Sequence, residues 1–272
     1  MTYQSDLKAH LSLYRCERLG IQETGTFRYR GRDVPCGHIL PRVHEERNLL
    51  DLARPLVRAY QSSHPDLKRH RYFHHLNSSQ AFAFNLFFPY FGGGSHAASV
   101  LLRAFGQASA MTSWQPEAVP DDREGTNIDV IWNTADGLRT FCEVKLSEAD
   151  FGKAADDDEH RRKLRDTYTT LLAADVDADM LEPLTFFGAY QLMRNVWHMV
   201  HQEQSRLILL LPRSNVGLWT ILNDYLPCLK SGTRARVSAV AIEDVIAALE
   251  TDDACPPNLR AYAGELRMKY IC

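Results

Sequence analysis

Residues 127–146 read Asn-Ile-Asp-Val-Ile-Trp-Asn-Thr-Ala-Asp-Gly-Leu-Arg-Thr-Phe-Cys-Glu-Val-Lys-Leu, and they constrain the fold more than any other stretch. Thr134-Ala-Asp-Gly-Leu138 fits a three-residue hairpin loop, a type I turn followed by a residue in the left-handed region. Gly137 stands where that residue is needed. The loop pairs Thr134 with Leu138, and therefore Asp129 with Glu143 and Asn127 with Lys145. Directly opposed residues share a face. Asn127, Asp129, Glu143 and Lys145 thus gather on one side, while Ile128, Val130, Trp132, Cys142, Val144 and Leu146 take the other. A two-residue Asp-Gly turn would slip the register by one, set Asp129 against Val144 and mix the faces. The apolar pattern selects the longer loop.

Two carboxylates placed opposite each other on a sheet repel unless a cation lies between them. One reading is an exposed face with a weak surface cluster of Asp129, Glu143 and Lys145. The other is a metal site beside a phosphate. Phosphodiester hydrolysis needs an activated water and neutralised charge, and Mg²⁺ is held by one or two carboxylates with water and phosphate completing its shell. A lysine ammonium nearby binds phosphate or orients the water as a point charge.

At Asp129 and Glu143-Val-Lys145 the chain resembles the PD-(D/E)xK nuclease superfamily, with the restriction-endonuclease-like fold; Ile128 replaces the proline of the superfamily's name. Residues 77–87, 124–129, 143–152 and 190–195 extend the likeness to a bacterial restriction-endonuclease-like group, over roughly residues 72 to 212. The resemblance implies that Asp129 and Glu143 bind Mg²⁺, with Mn²⁺ as a substitute, that the Val144 carbonyl completes the coordination, and that Lys145 assists the attacking water. It implies a further acid from the element before Asp129, for which Glu117 and Glu124 are the candidates. It also implies a Gln or basic residue from a neighbouring helix, for which Gln191 and Arg194 are the substrate-binding candidates. Each of these four has an ordinary surface role as its alternative. Nucleic acid is the expected partner, with DNA preferred to RNA, and a homodimer follows if the substrate is a duplex.

The remaining sequence sets bounds. The chain has 272 residues, a net charge of −3, 45% hydrophobic and 24% charged residues. That excludes a uniformly basic nucleic-acid binder but not a local basic cleft. Lys68-Arg-His-Arg71 and Arg161-Arg-Lys-Leu-Arg165 are local basic candidates, each more simply a solvated face. No apolar run spans a membrane and no signal-peptide core is present, so a cytoplasmic enzyme is expected. The six cysteines form no CxxC pair and read as free thiols. His70-x-x-x-His74 and His198-x-x-His201 have metal-like spacing without the surrounding pattern of a zinc site.

Periodicity predicts helices over 44–61, 77–88, 95–105, 184–204, 218–225, 243–250 and from 256 to near 270, and strands over 111–119, 206–212 and 236–242. Pro116 makes 111–119 an edge or irregular strand. Asn77 and Gln80 have capping-box spacing, and Ser147 with Asp150 resembles an N-cap. Asn85, amid phenylalanines, reads as a buried hydrogen-bonding residue. The expected fold is α/β (α+β), a mixed central sheet flanked by helices, with residues 1–75 as a helical extension and 76–272 as the nuclease-like domain. A catalytically inactive nucleic-acid-binding or assembly module, or an unrelated hydrolase with a coincidental hairpin, stands as the alternative.

Overall fold

A computed structural model describes residues 2–272. The chain divides into two compact units, Met1–Met111 with Ala241–Cys272, and Thr112–Val240. The line drawn from sequence at residue 75 falls inside the first of them.

The first unit contains helices Tyr3–Glu17, Ala53–Ser63, Ser79–Phe91, Ser95–Ala104, Ile242–Thr251 and Pro257–Tyr270, with an antiparallel hairpin of β1 (Gly25–Tyr29) and β2 (Arg32–Cys36). Helix Ser79–Phe91 is apolar almost all round and buried along nearly its whole length, as an all-round apolar helix must be. Asn85 interrupts it and is satisfied on every side used. Its Oδ1 accepts from Leu50 N–H at 2.8 Å, and its Nδ2 donates to Asn48 O at 3.0 Å and to Tyr270 Oη at 2.7 Å. The buried-amide reading of Asn85 holds.

The second unit carries a five-stranded sheet in the order β3 (Met111–Ala118), β4 (Ile128–Thr134), β5 (Arg139–Val144), β6 (Ser205–Leu211), β7 (Val237–Ala241). Strands β4 and β5 are antiparallel, and β5 and β6 are parallel, so the sheet is mixed. Parallel neighbours need a long crossover, and here helical residues between 158 and 200 supply it. The hairpin register is the expected one, with Val130 opposite Cys142 and Asn133 opposite Arg139. Thr134 N–H donates to Leu138 O at 3.0 Å, and Gly137 has φ +84°. Pro116-containing β3 is the edge strand, and β6, with no charged residue after Arg206, lies between two neighbours.

Several local expectations are corrected. Residues 44–61 are not one helix. A 3₁₀ segment, Arg42–Asn48, stops before Ala53–Ser63, and the Leu50 N–H between them is taken by Asn85. The N-cap of Ser79–Phe91 is Ser78 rather than Asn77. Gln80 instead bridges the preceding loop, accepting from His70 N–H at 2.7 Å and donating to Lys68 O at 3.2 Å. Residues 184–204 break into Pro183–Gly188 and Tyr190–Val200 at Ala189, whose φ and ψ of −128° and 37° leave the helical region. Ser147 and Asp150 start no helix; the next one begins at Asp158, capped by the Asp157 carboxylate. Among the described residues no helix is long and apolar enough to cross a membrane, and the six cysteines are free.

Candidate active site

Strand β5 delivers Glu143 at its end and Lys145 just beyond it, and β4 delivers Asp129 beside them. The face they share continues along both strands as Ile131 and Phe141, which belong to the apolar core of this unit. The charges therefore stand at one end of a helix-covered face. Glu143 is 2% exposed and Lys145 6%, which overturns the reading of this face as solvated surface.

Helix Tyr190–Val200 closes over it. Met193, Val196 and Trp197 enter the core, while Gln191, Asn195 and His198, spaced i, i+4, i+7, form a polar stripe toward the sheet. Gln191 Nε2 donates to Glu143 Oε1 at 2.5 Å, and its Oε1 accepts from Lys145 Nζ at 2.5 Å. Lys145 Nζ also lies 3.0 Å from Glu143 Oε1, so the three groups form a closed triangle. Asn195 Nδ2 donates to Glu143 Oε2 at 3.1 Å. That bond fixes the orientation of its amide, and Asn195 Oδ1 is left buried without a partner among the described residues. The loop after β5 positions the helix: Gln191 N–H donates to Phe151 O at 3.2 Å. Gly152, at φ +67°, leaves room for the Gln191 side chain, because a Cβ there would lie 3.1 Å from its Oε1.

Asp129 Oδ2 accepts from Val144 N–H at 2.7 Å. Burial, then the negative charges of Glu143 and Glu117, push the Asp129 carboxyl well above its usual range, against the pull of Lys145. Burial would lower the Lys145 ammonium, but Glu143, Glu148 and Asp129 outweigh it and raise its pKa. The site thus has more negative charge than its one lysine balances. Glu117 stands near it on the edge strand, at φ +48°, and accepts from Asn127 Nδ2 at 3.1 Å. A non-glycine residue in that region carries a backbone cost.

Glu124 is placed elsewhere. Its buried carboxylate accepts from Tyr168 Oη at 2.6 Å, Lys163 Nζ at 2.9 Å, Thr126 N–H at 3.0 Å and the Thr126 hydroxyl, with His198 Nε2 at 3.3 Å. Burial opposes the charge, yet the hydrogen bonds of His198, Thr126, Tyr168 and Lys163 prevail and hold its pKa far below normal. Arg194 lies with its guanidinium 6.0 Å from the Tyr190 ring centre rather than against Glu143.

Asn195 and Glu148 were missed as site residues. Asn195 stood in the polar stripe of the helix, and its four-residue spacing from Gln191 was the available signal. Glu148, whose carboxylate accepts from Leu146 N–H at 2.7 Å, had no periodic signal because it sits in a loop.

Among the described residues no group of three or more His, Cys, Asp or Glu is arranged to hold a metal ion. That includes both histidine pairs of metal-like spacing. What Asp129 and Glu143 offer is a two-carboxylate site with surplus negative charge and the orphaned Asn195 Oδ1 beside it. Both features fit a hydrated, oxygen-preferring cation whose remaining ligands are water and backbone.

A family model described as "Restriction Endonuclease associating with ARP" matches residues 8–271. No curated protein and no solved structure matches the chain.

Proposed function

The chain belongs to this restriction-endonuclease family, and from that premise we propose that it is a Mg²⁺-dependent phosphodiesterase, acting as a DNA endonuclease. Asp129, Glu143 and the Val144 carbonyl hold the cation, and Mn²⁺ substitutes for it. The cation lowers the pKa of a water and neutralises charge on the phosphate when bound. Lys145 adds a fixed positive charge where negative charge develops, an arrangement that costs no reorganisation during the reaction. Gln191 is a positioning residue: it accepts from Lys145 and donates to Glu143, and so holds the ammonium and the carboxylate in one fixed arrangement. Asn195 orients Glu143 through its second oxygen. Glu117 is the further acid, and Arg194 is the substrate contact assigned to the outer part of the helix.

One observation carries this reading. Two neighbouring carboxylates, Asp129 and Glu143, are held in a largely buried site with a single lysine, Lys145, which lies against Glu143 at 3.0 Å. Such an arrangement costs stability unless a cation or a reaction uses it. A second reading, an inactive nucleic-acid-binding or assembly module, draws on Glu143, whose two oxygens are already engaged by Lys145, Gln191 and Asn195.

The test is cleavage of a panel of single- and double-stranded DNA and RNA with Mg²⁺ or Mn²⁺, for the wild type, Asp129→Ala and Lys145→Ala. Metal-dependent cleavage lost in both variants supports the enzyme. A folded wild type that cuts nothing and binds no metal through Asp129 supports the inactive module.

A further inference from the structure

The hairpin β1–β2 has an uneven composition. Between Gly25 and Cys36 it places Phe27, Arg28, Tyr29, Arg30 and Arg32, with Asp33 as its one carboxylate. The turn uses Arg30 at φ +50° and Gly31 at φ +80°, which sets both strands in tight register. Phe27 pairs with Val34 and Tyr29 with Arg32, so these four side chains share one face. That face is not buried: Phe27 is 37% exposed, Val34 42% and Tyr29 55%. Neighbouring exposed apolar groups of this size mark an interaction surface.

The basic segment Lys68–Arg71 leads into a turn that meets this hairpin. Phe27 lies 6.0 Å from the Tyr72 ring and 6.2 Å from the His75 ring. Arg71 covers Tyr72 at 4.4 Å, and Arg30 covers Tyr29 at 5.4 Å. Between hairpin and turn is a cleft of about 380 Å³, lined by Phe27, Arg28, Arg42, Tyr72, His74 and His75 among others. His74 is 4% exposed, and its Nδ1 has no hydrogen-bond partner among the described residues; the same holds for the buried His75 Nε2. Arg28 meets Asp33 at 3.6 Å with both side chains largely in solvent, a contact too weak to withhold the guanidinium.

We propose that this face binds single-stranded nucleic acid, with one base in the cleft against Phe27 and Tyr72, another stacked on Tyr29, and phosphates met by Arg30 and Arg32, with Arg28, on the opposite face of the hairpin, reaching them only where it lines the cleft. The class of polymer rests on the nuclease reading; the geometry of rings and charges does not. Aromatic rings interleaved with arginines are what unpaired bases and their backbone require. A duplex hides its base faces in its own stack and cannot use exposed rings. An acidic peptide would satisfy the arginines but leave the flat ring faces of Phe27, Tyr29 and Tyr72 idle.

The experiment is fluorescence anisotropy with the full chain in EDTA, using labelled oligo(dT), oligo(rU) and a DNA duplex. Chelation keeps catalysis out of the readout. The wild type should prefer the single strands, and the tighter of the two names the sugar. Tyr29→Ala and Phe27→Ala should each weaken binding about tenfold, and Tyr29→Trp should retain it. Tyr29 sits at the exposed tip, so its loss tests stacking without disturbing the packing that Phe27 shares. Arg30→Ala with Arg32→Ala should lower the salt slope by about 1.4. Equal binding of duplex and single strand, or a Tyr29→Ala protein that binds as the wild type does, overturns the proposal. Cleavage that persists in that case would leave the reading of Asp129 and Glu143 intact. Lost binding in Tyr29→Ala, in a protein that never cleaves, would remove that reading alone.

Discussion

Glu143 and Glu124 lie under the same helix, Tyr190–Val200, and both are almost completely buried. Their surroundings differ in kind. Glu124 collects donors from Lys163, Tyr168, Thr126 and His198, and its negative charge is the favoured state. Glu143 has Lys145, Gln191 and Asn195, but it also has Asp129 beside it, and Asp129 resists ionisation. One network is complete in itself and fastens the Glu124 loop to the core. The other is short of positive charge. Sequence placed Glu124 and Glu117 on equal terms as further acids; the structure separates them by the partners each has found.

This contrast can be broken at either end. The largest effect is expected on cleavage, where Asp129→Ala or Lys145→Ala should reduce the rate on the order of 10²–10⁴-fold. Glu124→Gln should leave the residual rate of the folded fraction close to that of wild type, as read in single-turnover assays. Stability should show the reverse pattern. Glu124→Ala leaves Lys163 and His198 without their carboxylate, and urea unfolding should show a loss of about 3–5 kcal/mol. The lowered pKa of Glu124 fixes the pH window. Its contribution is complete above the unfolded value of about 4.3 and fades as acid takes the pH down through the lower folded value.

Asp129→Asn should do the opposite in metal-free protein. A carboxyl whose folded pKa is raised costs stability as pH climbs from the unfolded value of about 3.9 through the folded one. The variant should therefore melt above wild type at neutral pH and coincide with it in acid. Wild type should also gain melting temperature on adding Mn²⁺, since a ligand that binds only the folded state stabilises it. A wild type that already melts above Asp129→Asn without metal would erase the distinction between the two networks. The smallest effect belongs to the hairpin loop. Gly137→Ala puts a Cβ at φ +84°, 2.6 Å from Gln204 Oε1, and should cost about 1 kcal/mol in thermal unfolding.

The hairpin was legible because two independent signals agreed. The Asp-Gly loop and the apolar set on Ile128, Val130, Trp132, Cys142 and Val144 both select one register, and that register brings Asp129 to Glu143. Gln191 was legible from helical spacing, since a helix beside the strands must turn one stripe toward them. What stayed hidden depends on contacts distant in sequence. The break at Ala189 is set where Gln191 N–H is taken by the Phe151 loop, and nothing local to 184–204 announces it. Glu124 has the same residue type as Glu117 and lies closer to Asp129 in sequence, but Lys163, Tyr168 and His198 reach it from 39, 44 and 74 residues away. The β1–β2 hairpin lies within the stretch expected as a helical extension, and arginines at alternate positions, Arg28, Arg30 and Arg32, conceal its strand pattern.

The most direct measurement is Mn²⁺ binding by calorimetry to wild type, Asp129→Asn and Glu124→Gln under the same conditions. The account predicts binding in the wild type, its loss in Asp129→Asn and its retention in Glu124→Gln. Binding that survives Asp129→Asn, or that disappears with Glu124→Gln in a folded protein, would place the cation elsewhere and contradict the account.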